Sequence, residues 1–191
     1  MTVATHDTSL PEPLRGGLVT LKAFQTHHIY APEYLSWLRD PEVVRTLNLP
    51  AYLETLLELN ELEEYCHRLI ASDRDVFVAL HSAENDEFIG TCKIAHIDWY
   101  AATADIGIMI GNKSYWRKGV ASEAIHMLCS FAFEKMNFRK LTAGAMGTNK
   151  AMIKVFQKYG FITEGIRRQQ DRLETIYVDH ILLGCFKDEF K

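Results

Sequence analysis

The sequence predicts a mixed α/β fold, a single sheet with helices on both faces, and three observations predict it. Runs of period-two apolar alternation are interleaved with runs of helical period in the order strand, helices, three strands, helix, strand, helix, two strands. The chain has 191 residues with 48% apolar content, enough for one well-filled core and too short for two. No GxGxxG follows a strand and no Walker A sequence is present, so neither a doubly wound dinucleotide fold nor a P-loop fold fits.

In chain order, Met1–Gly17 is polar, with two prolines and a Gly-Gly pair, and reads as a flexible tail before a domain spanning residues 18–190. Leu18–Phe24 alternates as a first strand. Tyr30–Ala71 has helical character, opening at Ala31-Pro32-Glu33 and broken at Pro41 and Pro50. Its clearest stripe is Leu62, Tyr65, Cys66, Leu69 and Ile70. Three strand-like runs follow at Val76–His81, Phe88–Asp98 and Ala104–Ile110. Gly119–Lys135 reads as a helix with Ala121, Ala124, Ile125, Leu128, Phe131 and Ala132 inward. Lys140–Met146 is a strand and Asn149–Tyr159 a helix. Phe161–Arg168 and Thr175–Phe186 close the chain as a strand pair, seven strands in all.

Composition removes several function classes. A net charge of −4 leaves no basic footprint for nucleic acid. No apolar run reaches membrane-spanning length and the N-terminus lacks a secretion signal, so a cytoplasmic location is expected, with no nucleic-acid or membrane partner. Cys66, Cys92, Cys129 and Cys185 form no CxxC and read as small buried hydrophobes. The eight histidines include no HExxH, so no metal site is expected.

The segment that carries chemistry runs from Ile106 to Ala124. A strand ends near Ile110, a polar loop follows, and Gly119 opens an amphipathic helix. The first backbone N–H groups of a helix lack internal partners and the helix dipole places partial positive charge there. A glycine lets the backbone approach a bulky anion, so the element is a candidate pyrophosphate cradle.

Trp116-Arg117-Lys118-Gly119-Val120-Ala121 resembles the acyl-CoA loop of GNAT N-acetyltransferases, (Arg/Gln)-x-x-Gly-x-(Gly/Ala). The Trp in first position resembles the Trp-Gly-x-Gly form of the RimJ/RimL branch, the ribosomal-protein N-terminal acetyltransferases, with Arg117 in place of that form's first glycine. Asn149-Lys-Ala-Met through Gly160-Phe161, Tyr177–Gly184 before Asp188-Glu189-Phe190, and Trp37-Leu-Arg-Asp-Pro-Glu42 match further segments of that branch. The resemblance implies a mostly antiparallel seven-stranded sheet split between Ala104–Ile110 and Lys140–Met146. It implies acetyl-CoA as co-substrate, with pantetheine against the backbone of Met109 and Ile110, pyrophosphate on the N–H groups of Lys118, Gly119, Val120, Ala121 and Ser122, and Trp116 and Arg117 in the same cofactor-binding loop. Asn149 and Lys158, with Lys154, lie on the cofactor side. The implied reaction is direct attack of a primary amine, from a protein N-terminus, an amino sugar or a small amine, on the thioester in a ternary complex. A homodimer is allowed.

Amide formation needs a neutral amine. An alkyl amine of pKa about 10 is protonated about 1000:1 at pH 7, a handicap of about 4 kcal/mol, and an α-amine near pKa 8 loses about 1.4 kcal/mol. Asp105 is the first candidate to remove the proton, because related enzymes place a carboxylate on that strand, and His96 and Asp98 are second choices. Phe156 stands where many relatives carry a tyrosine that protonates the leaving thiolate, and Tyr159 is expected to pack beside Phe161. Glu54, Glu58, Glu61, Glu63 and Glu64, with no Lys or Arg among them, form a candidate acidic rim for a cationic acceptor or a solvated helix face. The competing function is a non-catalytic acyl-CoA sensor on the same fold.

Overall fold

The structure, a computed structural model, describes residues 8–47 and 55–191. Its sheet has eight strands: β1 (Leu14–Arg15), β2 (Val19–Ala23), β3 (Val76–Ser82), β4 (Phe88–Asp98), β5 (Thr103–Ile110), β6 (Lys140–Met146), β7 (Ile162–Leu173) and β8 (Ile176–Phe186). The spatial order is β1-β2-β3-β4-β5-β6-β8-β7. Every neighbouring pair is antiparallel except β5 with β6.

The eighth strand corrects the expected seven, and it comes from the segment read as a tail. Leu14 and Arg15 pair with Leu21 and Thr20, and Leu10 is buried in the main core. Two residues carry no readable period, so only the pairing shows this strand. Residues 1–7 of the tail lie outside the described residues, as do the expected break at Pro50 and the acidic residue Glu54.

Six α-helices occur among the described residues: α1 (Thr26–Ile29), α2 (Pro32–Leu38), α3 (Pro41–Val44), α4 (Leu59–Ile70), α5 (Val120–Glu134) and α6 (Lys150–Lys158). Pro32 and Pro41 each occupy a first helical position, where a missing N–H costs nothing and the fixed φ favours the turn. The proline read as a break therefore starts a helix. The side chain of Asp40 caps α3 by accepting from the Glu42 N–H.

The sheet divides the apolar residues into two cores. One packs α5 and α6 against the sheet through Ile125, Leu128, Phe133, Phe156 and Phe161. The other gathers Phe24, Tyr34, Trp37, Leu62, Phe77 and Phe88 beneath α1–α4. A strand covered on both faces should be apolar throughout, and β3 is buried at all seven positions. Each fully buried Leu, Ile or Phe contributes about 1.5–3 kcal/mol. The four cysteines are buried and free, as expected.

The feature that positions the site is the junction of β5 and β6. Only Thr103, Ala104 and Asp105 pair with Lys140, Leu141 and Thr142. Beyond that point β5 follows β4 as far as the Gly90–Ile110 pair, while β6 follows β8 as far as Met146–His180. Each strand keeps its antiparallel partner, so the two diverge and the sheet opens between them.

Candidate active site

A cavity of about 650 Å³ occupies this opening. Its walls bring together β5 from Ile106 to Ile110, the first turn of α5, the face of α6 bearing Ala151, Met152, Val155 and Phe156, and Tyr65 of α4. Such a volume suits a small-molecule site, with few polar groups among apolar walls.

The candidate cradle is the open N-terminus of α5. Gly119, the N-cap of α5, has φ +84°, and no side chain caps the helix. A β-carbon is strained in that backbone region, so glycine is the residue that fits. The N–H groups of Val120, Ala121 and Ser122 precede the first intrahelical bond, Glu123 N–H to the Gly119 carbonyl, and are left for an anion. Arg117 has φ +61°, the left-handed region its glycine counterpart would enter freely, and a non-glycine residue there costs about 1–2 kcal/mol. Trp116 fastens the loop to the end of β5 by donating Nε1–H to the Ile110 carbonyl at 2.8 Å.

Met109, Ile110, Trp116, Arg117, Gly119, Val120, Ala121, Ser122 and Asn149 all line the cavity. Lys118 and Lys158 do not. Lys118 lies over the Tyr115 ring, and Lys158 Nζ reaches Ser122 Oγ at 3.3 Å and Tyr159 OH at 3.2 Å, beside the first turn of α5. Lys154 is exposed. Asn149 caps α6, its Oδ1 accepting from the Met152 N–H, and its Nδ2 donates to the Thr46 carbonyl, tying α6 to the end of α3.

The three candidate bases separate. Asp105 is half-buried and does not line the cavity, lies next to the lining Gly107 on the same face of β5, and accepts the Thr142 hydroxyl proton at 2.9 Å. Burial pushes its carboxyl above the usual carboxylate range. The Thr142 bond and positive charge on His96, Lys93 and His180 oppose that push. His96 is exposed on the bulge of β4, its N–H donating to Asp75. Asp98 accepts the Ala101 N–H at 2.8 Å and closes the β4–β5 turn.

Phe156 lines the cavity and packs on Phe161 at 5.0 Å. Tyr159 does not pack on Phe161 as expected. Its ring meets His126 and Phe190, and its hydroxyl bonds Ser122 Oγ at 2.8 Å. Of the acidic rim, only Glu61 among the described members lines the cavity. Glu58 pairs with Arg39, and Glu63 lies against Tyr30. The rim is mostly an outer helix face.

Three residues that sequence reasoning missed matter here. Lys93 crosses Gly107 into the cavity and meets the Tyr65 hydroxyl at 3.4 Å. The buried Asp171 bonds His180 Nδ1 at 2.7 Å beside the split. The signal available for Lys93 was its place as the single cation within β4; none marked the Asp171–His180 pair. No group of three or more metal-ligating side chains occurs among the described residues, and no helix there is long and apolar enough to cross a membrane.

Comparison with known proteins agrees with this geometry. Residues 19–162 match the family model described as acetyltransferase (GNAT) domain. The chain is 31% identical over 129 residues to the probable N-acetyltransferase YjcK of Bacillus subtilis (strain 168), covering 67% of this chain and 70% of that one. Its fold resembles that of RimL, a ribosomal L7/L12 alpha-N-protein acetyltransferase solved with coenzyme A, with TM-score 0.79, 18% identity and coverage of 92% and 98%. It also resembles that of the spermidine N-acetyltransferase from Vibrio cholerae solved with CoA and spermine, with TM-score 0.78, 18% identity and coverage of 91% and 98%. With a helix N-terminus left open at a split sheet and a family match over three quarters of its length, the chain belongs to the GNAT family and is an N-acetyltransferase.

Proposed function

We propose that residues 18–190 form one catalytic domain that transfers acetyl from acetyl-CoA to a primary amine by direct attack in a ternary complex. The observation that carries this reading is that the uncapped first turn of α5 and the unpaired edge of β5 open into the same cavity. Pyrophosphate on the N–H groups of Val120–Ser122 directs the pantetheine arm along β5 toward Met109 and Ile110, with Arg117 and Lys158 at the phosphates. The backbone N–H near Ile110 faces the developing oxyanion. Asp105, at the closed end of the split where β5 still pairs with β6, receives the acceptor's ammonium.

Direct attack is favoured over an acyl-enzyme because no cysteine at the site is nucleophilic. Cys92 lines the cavity, yet burial pushes its thiol far above the usual range and keeps it protonated. Phe156 offers no proton, and none is required: an ordinary thiol of pKa about 8.5 already leaves tolerably as thiolate. Trp116 and the two closing strands support placing the chain in the RimJ/RimL branch, with a protein N-terminus, an amino sugar or a small amine as acceptor. The reaction suits a cytoplasmic setting, where acetyl-CoA is made.

Thiol release from acetyl-CoA tests the reading, assayed with spermidine, a tetrapeptide with a free α-amine, and glucosamine, alongside calorimetry of CoA binding. Micromolar CoA binding with amine-dependent thiol release is expected. Absence of CoA binding overturns it. Tyr159→Phe should keep most of the activity, because the Tyr159 hydroxyl faces Ser122 and not the cavity. A loss of a hundredfold or more with CoA affinity intact would make Tyr159 the acid.

A further inference from the structure

Asp171 is the single buried carboxylate among the described residues, at 6% exposure. A buried carboxylate needs a compensating donor. It finds one in His180, whose Nδ1 lies 2.7 Å from Asp171 Oδ2 across the β7–β8 hairpin. The pairing depends on an irregularity of β7: the register shifts between Arg167 and Asp171, and Gln169 takes φ +51°. The shift brings Asp171 diagonal to His180 in place of the regular partner.

An ionised carboxylate at Nδ1 holds the proton there and leaves the Nε2 lone pair open as an acceptor. Nε2 makes no hydrogen bond within the described residues, and it lies over Gly144: a Cβ at 144 would overlap it. Gly144 is exposed and lines the cavity. Asp105 is near enough that charge on His180 favours its ionised form. His180 does not itself line the cavity, but a buried carboxylate, an oriented imidazole and an open Nε2 over the cavity-lining Gly144 are the parts of a general base with its positioning residue.

We propose that His180 is the group that takes the acceptor's proton, with Asp171 as the residue that fixes its tautomer. This rests on the acetyltransferase reading above. The ammonium gives one proton to Nε2, directly or through one water, and the freed lone pair forms the C–N bond to the acetyl carbon. As the adduct collapses, the C–S bond breaks with its electron pair on sulfur. The second N–H proton passes to the departing sulfur, giving amide, free thiol and imidazolium. The imidazolium then loses its proton to solvent. Asp105 orients the ammonium and is not the final acceptor. The charged groups facing His180 are Asp171 and Arg167 on β7 and Asp105 on β5, with Arg167 exposed directly across the hairpin.

The test is the pH–rate profile of the full chain with acetyl-CoA and whichever of spermidine, the tetrapeptide and glucosamine turns over best. For His180→Gln, kcat should fall by about 10²–10⁴-fold at pH 7. The enzyme's own ionisation limb should vanish, leaving a rate that climbs with the free-amine fraction, while calorimetric CoA affinity is unchanged. Asp171→Asn should lower kcat, and the 15N shifts of His180 should lose the Nδ1–H tautomer seen in the parent, an effect independent of turnover. Asp105→Asn should raise KM more than it lowers kcat and keep the limb. A His180→Gln enzyme that is folded, binds CoA and retains the parental profile overturns the role of the dyad alone. Absence of transfer to all three amines by the parent protein overturns the acetyltransferase reading, and the dyad's role with it.

Discussion

Gly119 and Asp105 are constrained in different ways, one by its backbone and one by burial of its charge. Gly119 must hold φ +84° and leave its approach clear. Gly119→Glu adds a side chain strained by about 1–2 kcal/mol and a negative charge where we propose that pyrophosphate docks. It should abolish CoA binding measured by calorimetry while circular dichroism shows a folded protein, and unchanged affinity would remove the cradle assignment. Asp105 is held in the opposite sense. Its folded pKa is raised by burial, so the native state binds this proton more tightly than the unfolded chain does, and the ionised form opposes folding at neutral pH. Asp105→Asn should therefore melt no lower than the parent at pH 7, and higher if the Thr142 bond survives, while kcat/KM falls. A lower Tm would mean that the Thr142 bond outweighs the desolvation.

Among elements, α5 and the β1–β2 entry are bound more tightly than their separation in sequence suggests. The Glu123 carboxylate, in the first turn of α5, accepts from the Gly17 N–H at 3.0 Å, the Leu18 N–H at 2.7 Å and the Val19 N–H at 2.9 Å. Hydrogen bonds to a charged group are worth about 1.5–3 kcal/mol when half-buried and less when solvent competes. Glu123→Ala should cost about 2–3 kcal/mol in urea unfolding. Amide exchange should quicken at residues 17–19 before it does at β3. Equal protection in parent and variant would show that β1 is held by its pairing with β2 alone.

Over the whole molecule, the second core carries a pH dependence. The buried His28 and His81 form a chain: the Gln25 N–H donates to His28 Nδ1 at 3.0 Å, His28 Nε2 meets His81 Nε2 at 3.2 Å, and His81 Nδ1 meets the Asp86 carbonyl at 2.8 Å. A further proton breaks one of these bonds. Burial, with charge from His27 and His81, lowers the His28 pKa from 6.5 to about 4. Between those values the unfolded chain binds a proton that the native state refuses, so stability is complete above about pH 6.5 and is lost as pH falls toward 4. That shift corresponds to about 3 kcal/mol. Urea titrations from pH 4 to 7 should show this rise, and His28→Gln should flatten it. A parent curve that is flat from pH 4.5 to 6.5 would contradict the assignment.

The sequence by itself determined the order of the longer strands and helices and the place where α5 begins, because those signals are local. A helix start needs only its own first turn, and Gly119 with the Ala124–Ala132 stripe is enough to place α5 and its open N–H groups. Pairings between distant residues were decided by the tertiary structure. The two residues of β1 have no period and exist as a strand because β2 lies beside them. Glu123 meets partners more than 100 residues away. Tyr159 turned to Ser122 because α6 crosses the start of α5, and most of the glutamates between 58 and 64 face outward because the stripe of Leu62, Cys66 and Leu69 claims the inner face of α4. Asp171 and His180 meet only because β7 slips its register, and a period-two pattern read along one strand carries no information about the register of the next.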